Sequence, residues 1–210
     1  MATEENKHRI KNLVFDFGKV LVDYDFIHII RTFFTDRQDE EEFVRLFTDE
    51  SFMDRCDKED EPFIEIIRDM QQRYPQFKVQ AQAFYDHYVD FVTGEVPGMR
   101  NNLKMLKAEG FKLYGLTNWS SKVHEVMQRF PIFSLLDGRL ISSEEHLIKP
   151  DPAIYRRFCE KFQVKPEECL FTDDKPKNIA GAKSIGMHAI VFQHADQYMQ
   201  ELRNICLSES

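Results

Sequence analysis

The 210-residue sequence is short of several things, and each shortage removes a class of function. It has four cysteines, Cys56, Cys159, Cys169 and Cys206, with no Cys-x-x-Cys spacing and no histidine cluster around them. Nothing there supports a disulfide framework or a thiolate metal site, so they read as reduced thiols of a cytoplasmic protein. Positive charge is scarce: 28 Lys and Arg stand against 36 Asp and Glu, for a net charge of -8. A field of that sign argues against nucleic acid or an anionic membrane as partner. An anionic small substrate would need a local cation to offset it. No apolar run approaches the length that crosses a bilayer. The charged N-terminal stretch MATEENKHRIKN lacks the apolar segment of a signal peptide, and there is no repeat or low-complexity tract. The expectation is a cytoplasmic chain, monomeric or weakly homodimeric.

What is present is enough apolar material for a large core, at 42% hydrophobic with 19 phenylalanines. Five short apolar runs, 13–17, 112–117, 138–142, 169–172 and 187–192, are continuous rather than alternating, as strands covered on both faces require. Between them lie helix-length segments with start and stop signals. Pro97-Gly98 and Gly110 bracket one, Asp151-Pro152 caps another, and Gly186 closes a third. The alternation predicts an α/β fold, a Rossmann-like doubly wound parallel sheet. Residues 26–93 interrupt it with helical stripes such as Phe26/Ile29/Ile30/Phe33 and Phe63/Ile66/Ile67/Met70. We therefore expect a core of residues 8–25 and 94–210 and an inserted α-helical cap of residues 26–93.

Ligands in open α/β sheets bind beyond the carboxyl ends of the strands. Those ends carry Asp16, Thr117-Asn118 and Asp173-Asp174, with Lys149 just after the third core strand. Each alone has a plain reading, as turn former, helix cap or solvated lysine. Together on one rim they suit the handling of a phosphate. A carboxylate at Asp16 can accept a phosphoryl group and split one hard displacement into two easier ones. Asp16 and Asp174, with Asp173 assisting, can hold Mg²⁺. Lys149, the Thr117 hydroxyl and the Asn118 backbone N–H can hold the phosphoryl oxygens. Asn178, one turn beyond Asp174, can brace the acidic loop or cap the helix.

With these residues in place, the chain resembles the phosphatase branch of the haloacid dehalogenase superfamily. "VFDFGKVL" matches its first motif, "LTN" the second, "IKPDPAIY" the third and "FTDDKPKNIAGA" the fourth. The "DFGKVLVDYDF" stretch is also similar to bacterial α-D-glucose-1-phosphate phosphatases. The resemblance implies Asp16 as nucleophile and metal ligand, Gly18 as a ligand through its backbone carbonyl, and Asp174 with Asp173 as the other metal carboxylates. It implies Thr117, Asn118 and Lys149 as phosphate binders, Lys149 also catalytic, with Mg²⁺ as cofactor and a small phosphorylated metabolite, a sugar phosphate, as substrate. One departure stands out. Where such phosphatases carry a general acid, two residues after the nucleophile, this chain has Gly18, and Lys19 replaces a usual glycine. Asp23 and Asp25 are the nearest acids in sequence that can take over the proton work, or else plain polar residues of the loop into the cap. A metal-independent 2-haloacid dehalogenase, a phosphomutase and a catalytically degenerate phospho-ligand binder remain as alternatives. In the cap, segment 48–62 is expected to reach the pocket, with Arg55 and Lys58 as ligand contacts or solvated charges. Trp119 can wall the leaving-group side.

Overall fold

The structure, a computed structural model, describes residues 10–208. The charged N-terminal segment up to residue 9, with residues 8 and 9 of the expected core, and residues 209 and 210 lie outside the described residues. The chain opens with β1 (Asn12–Phe15) and a short strand β2 (Val22–Tyr24). Helices α1 (Phe26–Arg31), α2 (Arg37–Phe47), α3 (Glu50–Lys58), α4 (Phe63–Arg73) and α5 (Lys78–Asp86) follow, and then β3 (Val92–Glu95). From there α6 (Met99–Ala108), β4 (Lys112–Thr117), α7 (Val123–Arg129), β5 (Gly138–Ile141) and α8 (Ser142–Glu145) succeed one another. The last part comprises α9 (Pro152–Phe162), β6 (Cys169–Asp173), α10 (Pro176–Ser184), β7 (His188–Val191) and α11 (Ala195–Ser208).

Five strands form one parallel sheet in the order β5-β4-β1-β6-β7. The continuous apolar runs sort by the two-residue period of a strand. Leu13 and Phe15 pack into one core cluster and Val14 into the other. In β6, Leu170 goes to the first face and Phe171 to the second. Register brings Phe15 opposite Gly115 and Thr172, and the Asp16 amide donates to the Thr172 carbonyl at 2.9 Å. Asp16 thus leaves the sheet at the level where β6 reaches Asp173. Both central strands deliver an acid to the same rim.

The helix signals act as physical chemistry asks. Asp151 caps α9 by accepting from the Ala153 amide at 2.8 Å, with Pro152 in the first turn. The phenylalanines of helices α1 to α5 pack on one another within the same apolar cluster that holds Leu13, Phe15 and Leu170 of the sheet. Phe43 stacks on Phe47 at 3.9 Å, and Phe84 meets Phe47 at 5.2 Å and Phe91 at 5.1 Å. Each ring so buried is worth about 1.5–3 kcal/mol against exposure. The two strands not read from the sequence, β2 and β3, pair antiparallel where the chain enters and leaves these helices. They are three and four residues long, too short for a periodic signal. The expected boundary at 93/94 falls inside β3.

The loop that carries Lys149 is seated on α10. A methyl group on Gly181 would stand 2.5 Å from the Pro150 carbonyl and 2.9 Å from the Tyr155 ring. Gly181→Ala is expected to lose about 1–3 kcal/mol of stability by such overpacking, read as a lower urea midpoint with an unchanged slope.

Candidate active site

At the carboxyl end of the sheet the structure brings Asp16, Lys149, Asp173 and Asp174 together. One carboxylate oxygen from each of the three acids lies within 4.8 Å of the others. The Lys149 ammonium sits between two of them, 2.9 Å from Asp16 and 2.7 Å from Asp173. It also donates to the Leu116 carbonyl at 3.1 Å. Asn118 fixes the backbone beneath this lysine: its Oδ1 accepts from the Lys149 amide at 2.8 Å and its Nδ2 donates to the Lys149 carbonyl at 3.0 Å. Asn178 does brace the acidic loop, its amide donating to both Asp173 oxygens at 3.0 and 2.9 Å.

Burial drives Asp16 up to about 7, against the pull of Lys149 and with the push of Asp173. Burial and Asp173 also raise Asp174. For Asp173 burial works the same way, but Lys149 and its hydrogen bonds outweigh it and hold that carboxyl below its ordinary value. Burial works against the charge of Lys149 as well, yet the two carboxylates keep its ammonium above the ordinary value. Lys149 pairs with two of the three carboxylates and Lys175 draws on the third, so the cluster keeps an excess of negative charge when all ionise. An all-oxygen donor set with that excess suits a hard divalent cation such as Mg²⁺. The hydroxyl of Thr117 and the Oδ1 of Asn178 are also buried without a hydrogen-bond partner among the described residues. Buried polar atoms are seldom left so unless something external completes them.

A cavity of about 300 Å³ opens over this cluster, the small end of the range for metabolite sites. Asp16, Gly18, Asn118, Lys149 and Asp174 line it, whereas Asp173 and Thr117 lie behind its wall. Trp119 lines it too, with its backbone N–H donating to Ser142 Oγ at 2.9 Å. Segment 48–62 reaches the cavity through Thr48, Glu50, Met53, Asp54 and Asp57. Arg55 instead pairs with Glu61 and Asp69, and Lys58 with Asp60, so neither lines the cavity. Helical spacing carries the signal that separates them. Residues 50, 53, 54 and 57 form an i, i+3, i+4, i+7 stripe on α3, while 55 and 58 form a different one.

Asp23 and Asp25 are engaged elsewhere. Asp25 caps α1, accepting from the His28 amide at 2.9 Å, and Asp23 pairs with Lys19. Lys19 has φ 61°, a left-handed conformation in which glycine is the easy choice. Its ammonium compensates by donating to the Tyr24 carbonyl at 2.7 Å and lying 4.6 Å over the Tyr24 ring. That ring explains the departure at Gly18: a Cβ there would stand 2.7 Å from Tyr24 Cε1. A tyrosine fills the room that a side chain at position 18 needs.

Lys149→Met should cost about 3–5 kcal/mol near neutral pH, because it strands Asp16 and Asp173 without their cation. In the variant both carboxyls have folded pKa values above their ordinary ones, so the penalty grows as pH rises and fades as they protonate. Wild-type Asp173 behaves oppositely, its contribution being lost as pH falls through its lowered folded value. Urea unfolding at about pH 7.5 and about pH 5 should therefore show the deficit shrinking at the lower pH.

A family model described as haloacid dehalogenase-like hydrolase matches residues 10–186. Among curated relatives, glyceraldehyde 3-phosphate phosphatase of Pyrococcus furiosus is 34% identical over 102 residues, covering 48% of this chain and 42% of the relative. The chain spans about half the length of the curated relatives it matches. Among solved structures, a predicted HAD-like family hydrolase from Porphyromonas gingivalis aligns with TM-score 0.76 at 22% identity, over 93% of this chain and 97% of the other. A HAD family enzyme from Bacteroides thetaiotaomicron, solved with magnesium and inorganic phosphate, aligns with TM-score 0.71 at 21% identity, over 88% and 95%. These likenesses support the fold, and the family match spans the whole rim from Asp16 to Asn178: the chain belongs to the haloacid dehalogenase-like hydrolases.

Proposed function

We propose that this hydrolase is a Mg²⁺-dependent phosphatase of a small phosphorylated metabolite, a sugar phosphate, working in the cytoplasm through an aspartyl-phosphate on Asp16. The observation that carries the reading is the cluster of three carboxylates, Asp16 and Asp173 buried against Lys149 and Asp174 half-buried beside them, with negative charge left for a cation to neutralise. A phosphatase named for glyceraldehyde 3-phosphate among the relatives, and a fold neighbour holding magnesium and phosphate, support it. The similarity to glucose-1-phosphate phosphatases around Gly18 points to a sugar leaving group. The four free cysteines suit a reducing compartment.

Asp16 and Asp174, with the Gly18 carbonyl, are the residues that would hold Mg²⁺, and Asp173 would act from behind through Lys149. When bound, the ion supplies charge neutralisation between the attacking carboxylate and the phosphate. Of the two carboxylates paired with Lys149, Asp16 is the one suited to attack, because it reaches the cavity while Asp173 does not. Lys149 and the Asn118 N–H hold phosphoryl oxygens, with the unpartnered Thr117 hydroxyl as a third donor. Helices α1 to α5 form the cap that encloses the leaving group against Tyr24, Tyr88 and Trp119. The Asp173-Asp174 pair at the end of β6 speaks against a dehalogenase, which needs no cation.

The deciding experiment is a screen of sugar phosphates, nucleotides and phosphoamino acids with and without Mg²⁺. Hydrolysis of a small sugar phosphate is expected, abolished by EDTA, restored by Mg²⁺ and lost in Asp16→Asn. Phosphate binding without turnover on any ester would replace the enzyme by a binding protein. Metal-independent halide release would make it a dehalogenase.

A further inference from the structure

An alkoxide is a poor leaving group, so hydrolysis of a sugar or alkyl phosphate needs a proton delivered to the ester oxygen. Position 18 cannot supply it, and the Tyr24 ring occupies the space a carboxyl there would use. Tyr24 itself is held well above the ordinary phenol range by burial and by Asp174 and Asp16, which makes it a weak donor. Asp23 and Asp25 are committed to Lys19 and to the cap of α1. The remaining acids on the cavity come from one face of α3: Glu50, Asp54 and Asp57. Glu50 is taken by Lys177. Asp54 lies with Lys177, Lys175 and Glu50 about it, in more open surroundings. Asp57 is deeper, and the charged groups that face it are Lys175, Asp54, Lys149 and Asp16.

Asp57 combines a fixed backbone with an uncommitted carboxyl. Ser142 Oγ donates to its carbonyl at 2.5 Å, and the same hydroxyl accepts from the Trp119 amide at 2.9 Å. The adjacent Lys58 carbonyl meets His146 Nδ1 at 3.2 Å, and Glu59 accepts from Ser121 N at 2.6 Å and Ser121 Oγ at 2.8 Å. The C-terminal turn of α3 is thereby tied to the core loops that frame the site. The carboxyl of Asp57 makes no hydrogen bond or ion pair with any described residue. A half-buried carboxyl without an internal partner, on a tied-down turn facing the nucleophile's cavity, is placed to serve a bound ligand.

We propose that Asp57, carried on α3, is the general acid and base of this site in place of the residue missing at position 18. The assignment rests on the phosphatase reading given above. In the first step an Asp16 oxygen bonds to phosphorus and the bond from phosphorus to the ester oxygen breaks. The released electron pair takes the Asp57 proton, giving the free alcohol, aspartyl-phosphate and Asp57 carboxylate. In the second step Asp57 accepts a proton from water as the water oxygen bonds to phosphorus. The bond to Asp16 breaks, inorganic phosphate leaves, and both aspartates return to their starting states. Burial holds the Asp57 carboxyl up to about 7, opposed by Lys175 and supported by Asp54, so both forms are accessible near neutral pH, as a group that gives and then takes a proton requires.

The test compares Asp57→Asn with wild type, both with Mg²⁺, on two kinds of ester in the same preparation. One is p-nitrophenyl phosphate, whose phenolate leaves without help. The other is whichever of glucose 1-phosphate, glyceraldehyde 3-phosphate and phosphoglycolate the wild type cleaves fastest. The variant should lose about 10²-fold or more in kcat/KM on the alkyl ester and less than about tenfold on p-nitrophenyl phosphate. The ratio cancels any loss of folded protein, and a merely structural role would lower both alike. Equal losses, no loss, or the ratio moving with Asp54→Asn instead would overturn the Asp57 assignment while leaving the phosphatase intact. So would a wild type active only on p-nitrophenyl phosphate. A wild type inactive on every ester overturns the phosphatase reading and the Asp57 role with it.

Discussion

The buried ammonium of Lys149 is the interaction on which the rest of this site depends. Three acids cannot be crowded into a dry strand rim without opposite charge, and desolvation would otherwise neutralise them. Lys149 resolves this for Asp173 and only partly for Asp16. Much of the surrounding fold serves to hold that one nitrogen. Asn118 clamps its backbone, the Leu116 carbonyl shares its charge, and Asn178 keeps Asp173 pointed at it. Gly181 lets α10 approach the loop closely enough to seat it.

The sheet was legible because its chemistry is repetitive. Lys112–Thr117 is a strand residue for residue, and the other four core runs differ from the observed strands only at their ends. The acids and the lysine were legible because a parallel sheet delivers every strand's carboxyl end to one rim. Tyr24 and Asp57 were not. Both act across the junction between the helical insert and the core, and nothing in local periodicity reports contacts made by distant segments. Tyr24 is brought in by the β2–β3 pairing, between strands some seventy residues apart in sequence. For Asp57 a signal did exist in the α3 stripe, but the positively charged Arg55 and Lys58 drew attention to the wrong face of that helix. Their acidic neighbours Glu61, Asp69 and Asp60 satisfy them away from the cavity.

The insert and the core are thus joined in two chemically different ways. The phenylalanines of α1 to α5 pack on one another and run on into the apolar cluster that covers one face of the sheet, so insert and core share one apolar body. The polar ties at Asp57, Lys58 and Glu59 fix where the insert sits. Apolar packing sets the form and a few directional bonds set the aim.

The exclusion between Gly18 and Tyr24 also shapes which neighbouring sequences this chain can reach. A single change to aspartate at position 18 meets an aromatic ring, and a single shrinking of Tyr24 opens a void beside the acids and removes the seat of the Lys19 ammonium. Neither step alone places a free carboxyl at position 18 with its surroundings filled. The two positions therefore form a ratchet. With a ring in that space, a carboxyl at position 18 takes a double change, and a proton relay has to be built somewhere else.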